Sequence, residues 1–592
     1  MRIQDKTRSH RAQVVIDRMG KKLNRQMMTS LLACVHCGIC TESCHYVLSN
    51  PGDPTFAPSY KADQIRKFFK RHYDWTGRII PWWVKARSLY SDEELEQLKD
   101  TVFGKCTNCR RCTLNCPMGV DYPTFNRMAR GLLVSVGIMP EGVAVVSKDQ
   151  WEIGNQMGVL KEDYLETLEW LSDELEEEYG DPRARIPIDV KNANVVYAVN
   201  PREIKYDPRT ISDAARIFYL AGEHWTMPSE GWDMTNFGLF SGDDELGGVV
   251  ARRLYDKVTE LKGRKLVISE CGHGYRSTRC EGQNWAQYDV DFEMESSVIT
   301  MLRYIQEQRI SVDKSRNPVT VTFHDSCNNA RSCGLTEEPR ELLKFVVESF
   351  QEMYPNRAEN FCCTGGGGAM SMSEYTPRRL KSAKIKADQL RATGAGIVVT
   401  SCHNCVDGLS DLIKHYQLGM KVTQLVNLVA SALVVPERVT VPTVGVAAVA
   451  ADGSLAGRTI LIIDDEPDFV VYASAVFEDH GANVQSAYNG DAGLRIAESM
   501  KPDLITLDLS MPGMSGQELF EKLRSHSALR DIPVCIITGQ PELRKLIYDR
   551  PVTPPEGFMG KPVDEEQLLL NVRKILKIPH LKDDVKSESR KL

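Results

Sequence analysis

The sequence predicts a multidomain protein: a cysteine-bearing helical module, an α/β region with a second cysteine set, and a separate C-terminal α/β unit. Three observations predict it. The chain has 592 residues, too many for one hydrophobic core. Thirteen of its 17 cysteines fall into three tight groups of four, four and five. From residue 190 onward, short β-branched runs alternate with amphipathic segments, the pattern of parallel α/β layers. The expected divisions are 1–145, a helical acidic connector at 146–189, two related α/β halves at 190–318 and 319–435, a Val/Ala/Pro/Gly linker at 436–456, the C-terminal unit at 457–578 and a charged tail at 579–592.

Bulk composition narrows the setting. Hydrophobic content of 42% and charged content of 26% are those of a soluble globular protein. A net charge of −7 argues against nucleic acid as a partner of the whole chain. Residues 1–30 are basic, but no apolar stretch follows them, so no export signal is expected. No run of 18 or more apolar residues exists, so no membrane span is expected. A cytoplasmic setting follows, in which clustered cysteines read as metal ligands rather than disulfides.

The first two groups repeat one pattern. Cys34, Cys37, Cys40 and Cys44 are spaced C-x2-C-x2-C-x3-C, and Cys106, Cys109, Cys112 and Cys116 repeat it, with Pro117 following. Cysteines three apart let a tight loop wrap a cubane, and the fourth cysteine of such a run ligates the other cluster. Cys34, Cys37, Cys40 and Cys116 are therefore assigned to one [4Fe–4S] cluster, and Cys106, Cys109, Cys112 and Cys44 to a second. Zinc would use two C-x2-C knuckles, not four cysteines in eleven residues twice. The segment resembles the helical ferredoxin module of heterodisulfide reductases and succinate dehydrogenases. It departs in having His45 after Cys44, where Pro is usual. Between the motifs lies a basic, aromatic stretch, with Lys67, Phe68, Phe69, Lys70, Arg71, Trp75, Trp82, Trp83, Lys85 and Arg87. It reads as packing around the clusters, with a docking surface for a membrane subunit as the alternative.

In the connector, Tyr164, Leu168, Leu171 and Leu175 fall at helical spacing. The acidic run at 173–178 reads as a solvated face, with partner docking as the alternative. The α/β region then offers strands at 194–199, 265–269, 319–323 and 397–400. Cys327 follows the third of these. Cys362 and Cys363 precede Thr364 and four glycines, and Cys402 and Cys405 follow the fourth strand. In a parallel sheet such strand ends share one edge, where ligands bind, and glycines let backbone approach a bulky cofactor. The pattern C-x34-CC-x38-C-x2-C resembles the CCG domain of heterodisulfide reductase catalytic subunits. That resemblance implies a noncubane [4Fe–4S] cluster on Cys327, Cys362, Cys363, Cys402 and Cys405, at which a disulfide is reduced. Thr364 stands where that family usually has Gly, and His324-Asp-Ser-Cys327 where it often has Pro.

The preceding half holds only Cys271 and Cys280, so a second noncubane cluster is not expected there. Its Glu270-Cys-Gly-His273 run resembles the catalytic iron–sulfur subunit of the membrane complex that sulfate reducers couple to dissimilatory sulfite reductase, which implies a small disulfide-bearing protein or thiol as substrate. Cys271 and His273 read as structural residues, with proton donation or sulfur relay as the alternative. Cys333 and Cys535 stand alone and read as ordinary buried residues.

The C-terminal unit resembles a response-regulator receiver domain of (βα)5 flavodoxin-like fold. A strand at 460–463 ends in Asp464-Asp465, one at 504–507 ends in Asp508, one at 533–537 ends in Thr538, and Phe558 precedes Lys561-Pro562. Asp464, Asp465 and Asp508 make an oxygen site for Mg²⁺. The resemblance implies Asp508 as phosphoacceptor, Lys561 and Thr538 as phosphate contacts, Phe558 as the switch aromatic, and a sensor histidine kinase or phosphotransfer protein as partner.

Together these motifs predict an iron–sulfur oxidoreductase subunit. No G-x-G-x-x-G follows a strand, so electrons are expected from a partner, a membrane haem subunit oxidising quinol, which would hold the chain at the inner membrane. The alternatives are an electron relay to or from quinone without its own substrate site, as in anaerobic glycerol-phosphate or lactate dehydrogenases, and a redox-sensing phosphorelay protein.

Overall fold

The structure is a computed structural model that describes residues 8–435, 455–539, 552–561, 563, 565–576 and 578. Most of the predicted linker and the charged tail lie outside the described residues, as does Pro562. The chain divides into two compact units, 1–437 and 438–592.

The first unit opens with helices whose starts are written in their caps. Ser9 accepts the Ala12 N–H and starts His10–Lys22, Asn24 accepts from Met27 and starts Arg25–Leu32, and Ser91 with Glu94 forms a capping box on Asp92–Lys99. The apolar faces of these helices pack with Pro58–Tyr73 and Tyr122–Val134 into one core that includes Ile65, Phe69, Phe103, Phe125 and Leu132. The two cysteine loops share a backbone design. Residues 36 and 38 of the first and 108 and 110 of the second are all left-handed, at φ 56°, 86°, 54° and 64°. Only position 38 is glycine, so His36, Asn108 and Arg110 each hold a conformation that costs an L-residue about 1 kcal/mol. Each loop then enters a short helix, Ile39–Ser43 or Arg111–Leu114. Helix Glu141–Glu152 runs across position 145, so the helical module continues into the connector.

The connector's long helix, Lys161–Tyr179, buries Tyr164, Leu168, Leu171 and Leu175. Its acidic face is met by the chain's own arginines: Arg185 pairs with Glu169, Asp173 and Glu176, and Arg216 with Glu178.

Two parallel sheets follow. β1 (Val195–Ala198), β2 (Trp225–Thr226), β3 (Lys265–Ile268) and β4 (Glu293–Ser296) lie in the order β2-β1-β3-β4; β5 (Val321–His324), β6 (Ile397–Thr400) and β7 (Lys421–Gln424) lie in sequence order. The strand ends of both halves carry the chemistry. β3 leads to Cys271 and then to π-helical turn Ser277–Glu281; β5 leads to Cys327 and the π-helical turn Asn328–Ser332.

The second unit is a five-stranded parallel sheet of β8 (Thr459–Ile463), β9 (Asn483–Ala487), β10 (Leu504–Leu507), β11 (Val534–Thr538) and β12 (Gly557–Gly560), in the order β12-β11-β10-β8-β9. This is the flavodoxin-like strand order. The described helices Pro467–Asp479 and Glu565–Ile575 share one core face of the sheet, and Gly516–Ser525 packs on the other.

Candidate metal centres and phosphoacceptor site

In the helical module the two loops enclose two adjoining cavities. Cys34, Cys37, Cys40 and Cys116 line the first, together with Cys112, and Cys44, Cys106, Cys109 and Cys112 line the second. The fourth cysteine of each loop thus faces the other loop's cavity. The second cavity is the more buried. Beside it Lys61, 1% exposed, donates to the Lys105 carbonyl at 2.8 Å. Burial presses its ammonium down, but the sulfurs of Cys44, Cys106, Cys112 and Cys109 outweigh that and hold its pKa above the ordinary lysine value. Without a metal, burial and the neighbouring sulfurs push Cys112 far up. Four crowded cysteines, Cys106 buried and the others half-buried, beside a buried cation are the donor set that a cluster requires.

The tryptophans between the motifs do not pack around these cavities. Phe68 and Phe69 are buried, but Trp75, Trp82 and Trp83 are 71%, 75% and 78% exposed. The packing expectation is therefore corrected for the three tryptophans. They follow Asp74, whose side chain caps the short helix Trp75–Ile79, and that helix leads the chain out of the core.

The five cysteines of the α/β region converge, each between 2 and 8% exposed. Cys363 Sγ lies 3.2 Å from Cys405 Sγ. Cys362 lies near enough to Cys327 and Cys363, and Cys405 to Cys402, for each thiol to shift its neighbour's ionisation. Two further sulfurs extend the series at either end. Cys109 of the second cavity perturbs Cys362 in the same way, and Cys271 perturbs Cys402. A series of mutually perturbing thiols therefore runs from the helical module through the five-cysteine group into the preceding half.

The glycine loop makes this convergence fit. Thr364 is left-handed at φ 68°, and its N–H points at Cys362 Sγ at 3.2 Å, while the Gly365 N–H points at Cys363 Sγ at 3.4 Å. A Cβ on Gly365 would stand 2.1 Å from the Asn404 carbonyl oxygen, and one on Gly367 2.5 Å from that of Thr107. No side chain fits at either place. Arg130, fully buried, ties the loop to the helical module by donating to the carbonyls of Gly367 and Cys106, both at 2.7 Å.

Four buried polar atoms on residues around these sulfurs have no protein partner: Thr364 Oγ1, Ser326 Oγ, His273 Nε2 and His403 Nδ1. Orphaned groups at such a density mark where a polar, sulfur-rich group belongs. His324 joins Cys363 and Cys405 as a further ligand-type side chain, held neutral by burial and by Lys386. Lys386 is itself buried, hydrogen-bonded to Asn360 Oδ1 at 2.5 Å, and burial pulls it down to about 7 against the pull of Cys363. Lys61, Arg130, Asn360 and Lys386 were not singled out in the sequence. The signal for Lys386 is its place on the apolar face of Lys384–Arg391, beside Ala387 and Leu390.

The preceding half contributes polar groups. Cys271 Sγ lies 3.2 Å from His273 Nδ1, and Asn404 Nδ2 donates to the same nitrogen at 3.1 Å. Burial holds His273 near 4, so its ring is neutral. Glu203, fully buried, accepts from His403 Nε2 at 2.8 Å, from the Asn200 N–H at 2.9 Å and from Ser269 Oγ. Cys333 is not isolated as the sequence suggested. Its sulfur lies 3.7 Å from that of Cys280. Cys535 is fully buried in β11.

In the second unit, carboxylate oxygens of Asp464, Asp465 and Asp508 lie within 4.8 Å of one another. Lys561 Nζ stands 2.8 Å from Asp464 and 3.8 Å from Asp508. Burial pushes Asp464 up to about 6 despite the Lys561 contact. Thr538 ends β11 fully buried, and Phe558 is half-buried in β12.

Known proteins match this geometry in pieces. The 4Fe-4S dicluster domain family matches residues 30–120, the cysteine-rich domain family residues 321–409, and the response regulator receiver domain family residues 460–573. The Hdr-like menaquinol oxidoreductase iron-sulfur subunit 2 of Archaeoglobus fulgidus is 25% identical over 69% of this chain and 81% of its own length. A dihydromethanophenazine:CoB–CoM heterodisulfide reductase polypeptide of Methanosarcina barkeri is 26% identical over 70% of this chain and 96% of its own. Protein PilH of Pseudomonas aeruginosa is 33% identical over 20% of this chain and 96% of its own.

Proposed function

Because the chain is a heterodisulfide reductase-like iron–sulfur protein fused to a response-regulator receiver domain, we propose that it is a subunit that passes electrons to a disulfide-type substrate under the control of phosphorylation. The observation that carries this reading is the convergence of the five buried cysteines, with Cys363 and Cys405 in direct sulfur contact, in a series of mutually perturbing thiols that runs from Cys109 through Cys362, Cys363, Cys405 and Cys402 to Cys271. We assign Cys34, Cys37, Cys40 and Cys116 to one cubane, Cys106, Cys109, Cys112 and Cys44 to a second, and Cys327, Cys362, Cys363, Cys402 and Cys405 to a noncubane cluster. Bound there, the clusters would supply the single-electron steps that reduction of a two-electron disulfide requires.

The chain's own residues do the rest. Arg130 and the glycine loop hold the second cubane's loop against the five-cysteine group. Lys61 places buried positive charge beside the cysteines of the second cavity, and Lys386 places beside the five-cysteine group an amine that takes up a proton near pH 7. Cys271, the neutral His273 and Asn404 put a thiol proton next to Cys402, where a leaving thiolate needs one. The exposed tryptophans, with Arg71, Arg78 and Lys85 near them, suit docking to a membrane haem or quinol-oxidising subunit. In the receiver domain, Asp508 takes the phosphoryl group from a sensor kinase or phosphotransfer protein, Asp464 and Asp465 complete the Mg²⁺ site, and Lys561 and Thr538 meet the phosphate.

A relay without its own substrate site is the second reading, favoured by the burial of all five cysteines. One experiment separates the two. The chain is purified without oxygen, its iron and acid-labile sulfide are counted, and paramagnetic resonance spectra are taken with and without a thiol. About 12 irons, three clusters of four, and a thiol-perturbed signal are expected. A full complement of iron with no thiol response supports the relay, and about 8 irons removes the reductase reading. For the receiver, Asp508→Asn abolishes labelling by a small acyl phosphate; labelling that persists in the variant overturns the assignment.

A further inference from the structure

Outside every site described above, two cysteines from different halves meet at the surface. Cys280 lies in the turn Ser277–Glu281 and is exposed; Cys333 closes the turn Asn328–Ser332 and is half-buried. They are 53 residues apart, yet their sulfurs stand 3.7 Å apart. A disulfide needs about 2.05 Å, so the sulfurs are in van der Waals contact and one small shift short of a bond. The two turns are matched elements. Each follows a cysteine that lies just beyond a strand of its half, Cys271 after β3 and Cys327 after β5, and Arg276 bridges them by donating to Asn328 Oδ1 at 3.3 Å.

The pair is chemically unequal. The contact with Cys333, and then the positive charge of Arg279 and Arg276, draw Cys280 down to about 7 against burial and Glu281. The same contact, with burial, pushes Cys333 up. An exposed thiolate-forming cysteine backed by a half-buried thiol has the parts of an attacking and a resolving cysteine. Neither residue belongs to the five-cysteine group or to the helical module's eight.

We propose that Cys280 and Cys333 form a thiol–disulfide exchange site whose substrate is a low-molecular-weight disulfide. The Cys280 thiolate attacks one sulfur of that disulfide, a mixed disulfide forms at Cys280, and the first thiol leaves. Cys333 gives up its proton and attacks the Cys280 sulfur, closing Cys280–Cys333 and releasing the second thiol. Two electrons pass from the cysteine pair to the disulfide, which leaves as two thiols; one proton comes from Cys333 and the other from water, which took it up when Cys280 ionised. The closed bond ties the turn of one half to the turn of the other, next to the strand ends that carry Cys271 and Cys327.

The test uses the cluster-loaded full chain in anaerobic buffers of graded reduced-to-oxidised glutathione ratio, followed by acid quenching, alkylation and peptide mass spectrometry. Iron content is measured on the same samples to separate this chemistry from cluster loss. Cys280 and Cys333 are expected to lose alkylation together, with a Cys280–Cys333 cross-link and iron unchanged. Cys333→Ser is expected to trap glutathione on Cys280, and Cys280→Ser to leave Cys333 unmodified. The proposal is overturned if no cross-link appears in the wild-type chain at any ratio that leaves iron intact, or if Cys333→Ser gathers no glutathione. The pair reacts whether or not the five cysteines hold a cluster, so failure of the reductase reading does not decide this result.

Discussion

The two α/β halves of the first unit share a frame and differ in what their strand ends carry. Both have a parallel sheet, a strand leading to a cysteine, a π-helical turn after it and a last strand that caps the next helix. The 319–435 half adds the Cys362-Cys363 loop, four glycines and the Cys402/Cys405 pair. The 190–318 half keeps Cys271 and spends its other strand-end positions on Glu203, Glu270 and His273. The comparison teaches that the frame is indifferent to the chemistry. One half supplies sulfur, and its sibling supplies the hydrogen bonds and protons around that sulfur.

The sharpest way to break this contrast is to remove sulfur from one half only. Cys363 touches both Cys362 and Cys405, so Cys363→Ser interrupts the group at its middle. It is expected to lower iron by about four atoms per chain and leave the two cubanes' signals in place. Cys271→Ser is expected to leave iron unchanged. Equal iron loss in the two variants would erase the division of labour.

The next effect tests the polar half. Glu203 has no exposed surface and accepts from three buried donors, His403 Nε2, the Asn200 N–H and Ser269 Oγ. His403 belongs to the sulfur-bearing half, between Cys402 and Cys405, so this contact joins the two. Glu203→Leu strands all three donors and is expected to cost about 3–5 kcal/mol, read as a lowered thermal midpoint. A loss under about 1 kcal/mol would mean water replaces the carboxylate.

What the sequence revealed of these halves follows the same division. Cysteine spacing is a local, one-dimensional signal, and the three groups it marks are the ones that line the two cavities of the helical module and converge in the α/β region. The strand at 397–400 was also legible, because an Ile-Val-Val-Thr run bounded by Gly396 and Ser401 is too short and too β-branched for a helix. Lys61, Arg130 and Lys386 were not legible. A buried cation looks like any surface cation in a sequence, because its burial is decided by helices far away in the chain. Arg130 reaches the Gly367 carbonyl across 237 residues. The meeting of Cys280 with Cys333 was hidden for the same reason, and the exposed tryptophans were misread because aromatic content alone suggests a core.

A pH effect comes third. Glu270 is buried beneath the N-terminus of helix Leu425–Ala432, where the N–H groups of Leu425 and Val426 reach its carboxyl at 2.9 and 2.8 Å. Burial outweighs those bonds and raises its pKa to about 8. With the folded value above the unfolded one, stability is full below about pH 4.5, falls between there and about 8 as the unfolded chain ionises first, and is flat above. The slope inside that window is about 1.4 kcal/mol per pH unit. Glu270→Gln is expected to flatten the decline in thermal midpoint between pH 6 and pH 8, whatever constant offset the amide adds. A wild-type midpoint already flat across that window would show that the helix N-terminus holds the carboxylate ionised.

The smallest effect compares the caps of the two last helices. Ser296, the final residue of β4, accepts the Val298 N–H and starts Ser297–Gln306; Gln424, the final residue of β7, starts Leu425–Ala432 with a reciprocal pair to Asn427. Ser296→Ala removes one acceptor and is expected to cost about 1 kcal/mol. Gln424→Ala removes a cap whose amide also donates to the Glu270 carbonyl at 3.4 Å, so its loss loosens both halves at once. If the halves are as separable as their sheets suggest, Ser296→Ala lowers the midpoint without changing the paramagnetic signal of the five-cysteine group, whereas Gln424→Ala changes both. A signal change in Ser296→Ala would mean that even the outermost turn of the polar half is felt at the sulfurs. The two halves would then have to be treated as one site rather than as frame and furnishing.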